Sequence, residues 1–83
     1  MTWQDYEETA SESMYGVGIL DGTYVMKHSI QSGMAFDFYQ ITKEEYDNYG
    51  TWCKDEEKIM DIRLRKVWYR GFFGHSEFRN MEK

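Results

Sequence analysis

Three side chains in this 83-residue sequence have the chemistry of a nucleophile, a proton carrier or a transition-metal ligand: His28, Cys53 and His75. Zinc needs three or four such ligands, usually including a close pair of the CxxC or HxxxH kind. Here the three are spaced 25 and 22 residues apart, and no pair forms. A Cys–His dyad would have to be assembled in space, and a lone cysteine more often packs as a small apolar group. No catalytic residue, metal ligand or cofactor site is therefore assigned, and the expectation is a protein that is not an enzyme.

Carboxylates are the next chemistry to weigh. Glu44, Glu45 and Asp47 stand together, as do Asp55, Glu56 and Glu57. Acid–base catalysis needs two carboxylates in different environments, one of them shielded. Each of these runs opens a predicted helix, where negative charge complements the helix dipole. Calcium would require DxDxDG-type spacing, which is missing. Gly16-Val17-Gly18 has two glycines of a phosphate-binding loop but lacks the third, because Asp21 stands in its place. Glycines so placed suit a strand approached closely by another backbone.

The charges are divided along the chain. Residues 1–57 hold twelve acids against three bases, net −9, and residues 58–83 hold seven bases against three acids, net +4. Arg63, Arg65, Lys66 and Arg70, interleaved with Trp68 and Tyr69, are the types that grip phosphates and stack on bases. The whole chain is nevertheless acidic, at −5, which opposes nucleic acid and favours basic partners. The single cysteine provides no disulfide framework. No run approaches the roughly 18 apolar residues of a membrane span. The first residues lack the basic and apolar regions of a signal peptide, so a cytoplasmic location is the default expectation.

The elements that must position these groups are those of one domain spanning residues 1–83. Thr2 and Asp5 have capping-box spacing, and Trp3, Tyr6, Ala10 and Met14 follow at helical intervals, predicting a helix from Thr2 to Ser13. Tyr15–Leu20 and Thr23–Ile30 flank Asp21-Gly22, a favoured two-residue hairpin turn. Met34–Ile41 alternates as a third strand, with Phe36 and Phe38 on one face and Asp37 and Tyr39 on the other. Thr42 and Glu45 form a second capping box, opening a short helix that Gly50 should stop. Asp55 opens a further predicted helix through Ile59, Met60, Ile62, Leu64, Val67 and Trp68. The alternation from Met60 to Arg65 would also suit a strand. Residues 72–78 read as a turn or short edge strand. The expected class is α+β, a small antiparallel meander of about three strands packed with an N-terminal helix and C-terminal helices.

The stretch FDFYQITKEEYDNYG, residues 36–50, holds five aromatics and four carboxylates against one lysine. Tyrosines concentrate at protein interfaces, and negative charge speeds association with basic proteins. A small, acidic, aromatic-rich chain with a strand running into YQITKEEYDNYG resembles small bacterial immunity proteins, those of contact-dependent growth inhibition being the nearest. That resemblance implies a stoichiometric inhibitor that caps a basic protein toxin, such as a nuclease domain. The expected partner-binding residues are Asp37, Tyr39, Glu44, Glu45, Asp47, Tyr49, Asp55, Glu56 and Glu57. A small nucleic-acid-associated regulator using residues 63–70 and a phage-type inhibitor of host defence are the competing expectations. Surplus surface aromatics also leave a homo-oligomer open.

Overall fold

Thr2 does form its capping box, but the helix it opens lasts one turn. In the computed structural model, which describes residues 1–12 and 14–82, Thr2 Oγ1 accepts the Gln4 N–H at 3.2 Å and Asp5 Oδ2 accepts the Thr2 N–H at 2.8 Å. Trp3–Asp5 is a single 3-10 turn, after which the chain extends as β1, Tyr6–Glu12. The predicted helix from Thr2 is thus corrected to a turn and a strand; its last residue, Ser13, lies outside the described residues. Tyr6 is drawn into an aromatic cluster, 5.0 Å from the Phe38 ring. β1 meanwhile pairs with β2, Tyr15–Leu20, whose glycines admit it. A Cβ on Gly18 would collide with the Glu7 carbonyl oxygen, and one on Gly16 with the Glu8 carboxylate. Gly16-Val17-Gly18 is therefore a place of close strand approach, and the register slips there by a bulge between Glu8 and Ala10.

Three further strands follow the meander: β3, Thr23–Ile30; β4, Ala35–Gln40; and, after the helices, β5, Tyr69–Phe72. A two-residue strand, β6, Arg79–Asn80, completes a six-stranded antiparallel sheet in sequential order. Asp21 and Gly22 both have positive φ, at 49° and 77°, as a tight hairpin turn requires. The sheet thus has six strands where about three were expected. Its helices lie between β4 and β5 rather than at the C-terminus: α1, Lys43–Asp47; α2, Tyr49–Trp52; and α3, Glu56–Arg63. Gly50 sits inside α2 instead of stopping a helix. The chain leaves α3 at Leu64, because the Trp68 N–H is taken by the Phe38 carbonyl at 2.8 Å and the backbone joins the sheet.

Both faces of the sheet are covered. On one, Val17, Met26, Tyr39 and Ile41 pack against Tyr49, Trp52, Ile59 and Ile62 of the helices. On the other, Leu20, Val25 and Phe38 pack with Phe78, under Trp3, Tyr6 and Trp68. The chain's two end segments meet over this second core. Phe78 N–H donates to the Met1 carbonyl at 2.7 Å and Trp3 N–H to that of Ser76 at 3.3 Å. No helix among the described residues is long and apolar enough to cross a membrane.

Candidate protein-binding surface

A row of chemistry-bearing residues crosses the whole sheet. Successive cross-strand pairs align Glu12 with Tyr15, Tyr15 with His28, His28 with Asp37, Asp37 with Arg70, and Arg70 with Arg79. Strand pairs share a face, so these side chains lie on the helix-covered side. Arg70 grips Asp37 with two hydrogen bonds, Nε to Oδ1 at 2.6 Å and Nη2 to Oδ2 at 3.1 Å. Asp37 is 4% exposed, so this pair is internal, and the hydrogen bonds to Asp37 raise the Arg70 pKa. His28 is 5% exposed, and Tyr15 stacks on its ring at 4.7 Å with 10° between planes. Its Nδ1 has no hydrogen-bond partner among the described residues.

Burial, with the nearby Arg63 charge, pushes the His28 pKa below its ordinary 6.5, and Asp37 pulls partly back. Folding therefore selects the neutral ring. Above pH 6.5 folded and unfolded chains both carry it neutral; below, the unfolded chain takes the proton first, so stability falls until the folded ring also titrates. A urea midpoint measured at about pH 7.5 and about pH 5.5 is expected to drop. His28→Gln should reduce that drop, and an identical pH dependence in the variant would refute the assignment.

The nine expected partner-binding residues separate into two groups. Asp37 and Tyr39 lie beneath the helices, and Tyr49 is in the same core. Burial raises the pKa of Tyr39, and burial with Cys53, Glu12 and Glu8 pushes that of Tyr49 up to about 12. Glu45 anchors an internal network: Arg65 Nη2 at 2.6 Å, Lys58 Nζ at 2.6 Å, and the Thr42 N–H at 2.8 Å. Arg65 foremost, then Lys58 and the Thr42 backbone, hold its carboxyl far below the usual range against the cost of burial. This network lines a cleft of about 420 Å³ with Thr42, Glu44, Asn48 and Trp52. Asp55 caps α3, accepting the N–H groups of Glu57 at 3.0 Å and Lys58 at 3.3 Å. Asp47 pairs with Lys43 at 2.7 Å on the surface. Glu44, Glu56 and Glu57 are exposed and without an ion-pair partner among the described residues.

Strand β1 adds acids that the helical reading had misplaced. Glu7, Glu8 and Glu12 are exposed on it, and Glu8 pairs with Lys27 at 2.8 Å. The strand abuts the helices: Tyr46 OH donates to Thr9 Oγ1 at 2.7 Å, and Lys54 reaches Glu12 at 3.9 Å. Glu7 and Glu12 therefore border the same side of the molecule as α1 and α2. A polar run, YEETASE, was the available signal, since an exposed edge strand needs no apolar alternation.

Half of the basic segment's cations are consumed internally. Arg65 and Arg70 are held by Glu45 and Asp37, and Trp68 and Tyr69 pack against the second core. Arg63, Lys66 and Arg79 remain exposed. Among the described residues, no group of three or more His, Cys, Asp or Glu side chains is gathered to hold a metal.

Comparison with protein-family models, curated proteins and solved structures finds no match.

Proposed function

We propose that the protein is a non-enzymatic inhibitor that binds a basic partner through an acidic surface formed by β1, α1 and the start of α3. The observation that carries this reading is where the charges are spent. Lys27, Lys43, Lys58, Arg65 and Arg70 each engage a carboxylate of the same chain. Among the described residues, Glu7, Glu44, Glu56 and Glu57 are exposed without an ion-pair partner, against Arg63, Lys66 and Arg79 on the basic side. Fixed surface carboxylates with no local counter-charge attract and orient a cationic protein surface. A toxin whose active site is built to receive nucleic acid offers such a surface, and occluding it would neutralise the toxin in the manner of an immunity protein.

The test is purification from the native host at low salt, followed by identification of a stoichiometric basic partner and an assay of its activity. Equimolar protein is expected to abolish that activity. A variant carrying Glu7→Lys, Glu44→Lys and Asp47→Lys should bind at least about tenfold more weakly, an effect that shrinks as salt rises. Unchanged affinity in the triple variant would sink the proposal.

A further inference from the structure

A groove of about 320 Å³ runs between α3 and the turn before β2, lined by Met14, Tyr15, Glu56, Ile59, Met60 and Arg63. Two of its lining side chains are exposed apolar ones, Met14 at 54% and Met60 at 47%, and Leu64, 80% exposed, follows just past the end of α3. Glu56, Met60, Arg63 and Leu64 follow at helical spacings of three and four, so they form one stripe along α3. The stripe has an acid at its N-terminal end, methionine in the middle, and a cation with leucine at its C-terminal end. Neither Glu56 nor Arg63 has an ion-pair partner among the described residues.

That order is complementary to its own reverse. We infer that the groove is the contact surface of a two-fold dimer of this chain, with α3 packed antiparallel to its copy. An axis near Met60 sets Glu56 of each copy against Arg63 of the partner subunit and Met60 against Met60 of the partner subunit. Two-fold interfaces are isologous, so one stripe satisfies both halves of the contact. Antiparallel helices also oppose their dipoles favourably. A basic protein of the kind proposed above fits this groove poorly, because Arg63 would repel it. The pairing shares Glu56 with the acidic surface proposed above but uses none of Glu7, Glu44 or Asp47, and it is read from self-association alone, so it stands or falls apart from the inhibitory reading.

Sedimentation equilibrium across about 10 to 500 µM tests it, a range matched to the micromolar association of small interfaces. The apparent mass is expected to rise from the chain's 10.1 kDa towards twice that value. Arg63→Glu should weaken association at least roughly tenfold, as loss of a close interfacial charge pair does. Adding Glu56→Arg to it should restore association to within about threefold, because the reversed charges again oppose. Met60→Glu should abolish association. All three positions are exposed, so circular dichroism and melting temperature should report an unchanged fold in each variant. A chain that stays monomeric throughout the range overturns the inference, whatever else the groove then binds. So does a double reversal that fails to recover what the single one lost.

Discussion

Phe38→Ala is expected to remove about 3–5 kcal/mol of stability, the usual cost of truncating a buried phenylalanine. The whole domain should hold only about 4–12 kcal/mol at roughly 0.05–0.15 kcal/mol per residue, so this one change approaches unfolding. The reason lies in what the ring joins. Phe38 is fully buried on the second face of the sheet, 4.9 Å from Phe78, 5.0 Å from Tyr6 and 5.9 Å from Trp3. Those three rings belong to the chain's opposite ends, which meet over this core. A cavity here cannot be refilled by a rigid central strand, and it loosens both end segments together. The melting temperature should fall by about 12–40 °C. Amide exchange at Trp3 and Phe78, whose N–H groups bond across the two ends, should accelerate before exchange at β3. A loss below about 1.5 kcal/mol, or unchanged protection of those two amides, would show that the ends are held by something else.

Much of this architecture was legible because it is local. Alternation and the Asp21-Gly22 turn marked β2, β3 and β4, and both capping boxes form as their spacing implied. Asp55 opens α3 as its position before Glu56 and Glu57 suggested. The N-terminal strand was illegible because a capping box is a statement about one turn only. Trp3, Tyr6 and Ala10 satisfy helical spacing as well as they satisfy a turn entering an edge strand. Asp37 and Tyr39 lie opposite Phe38 as the alternation implies, but the alternation carries no sign that this face is also covered. The sheet is covered on both sides, so the residues opposite the core turned out to face a second core. The internal ion pairs had no local trace, since Glu45 meets Arg65 across 20 residues and Asp37 meets Arg70 across 33. Of the nine expected residues, Glu44, Asp47, Asp55, Glu56 and Glu57 are exposed, while Asp37, Tyr39, Tyr49 and Glu45 are engaged inside the protein, and β1 adds Glu7 and Glu12 to the exposed acids.

The Asp37–Arg70 pair yields the second large effect, and it separates stability from recognition. Arg70→Met keeps the length and apolar stem of the side chain but leaves the Asp37 carboxylate without its cation. Removing one partner of a fully buried pair costs about 3–5 kcal/mol. Arg70 is 30% exposed along its side chain, so solvent reaches the site and the expected loss is about 2–3 kcal/mol. Chemical denaturation should show this as a lower midpoint with an unchanged slope, because the surface exposed on unfolding is the same. The companion variant, Asp37→Leu with Arg70→Met, removes both charges and should recover most of the loss, since an apolar pair needs no compensation. If Asp37 instead served to contact a partner, the double variant would be stable yet unable to bind. In the geometry described, with Asp37 beneath the helices and fully occupied by Arg70, the double variant should bind as the parent does. Retained binding together with recovered stability would assign the pair to the frame that holds β4 and β5 together. Loss of binding in a stable double variant would return Asp37 to the recognition surface.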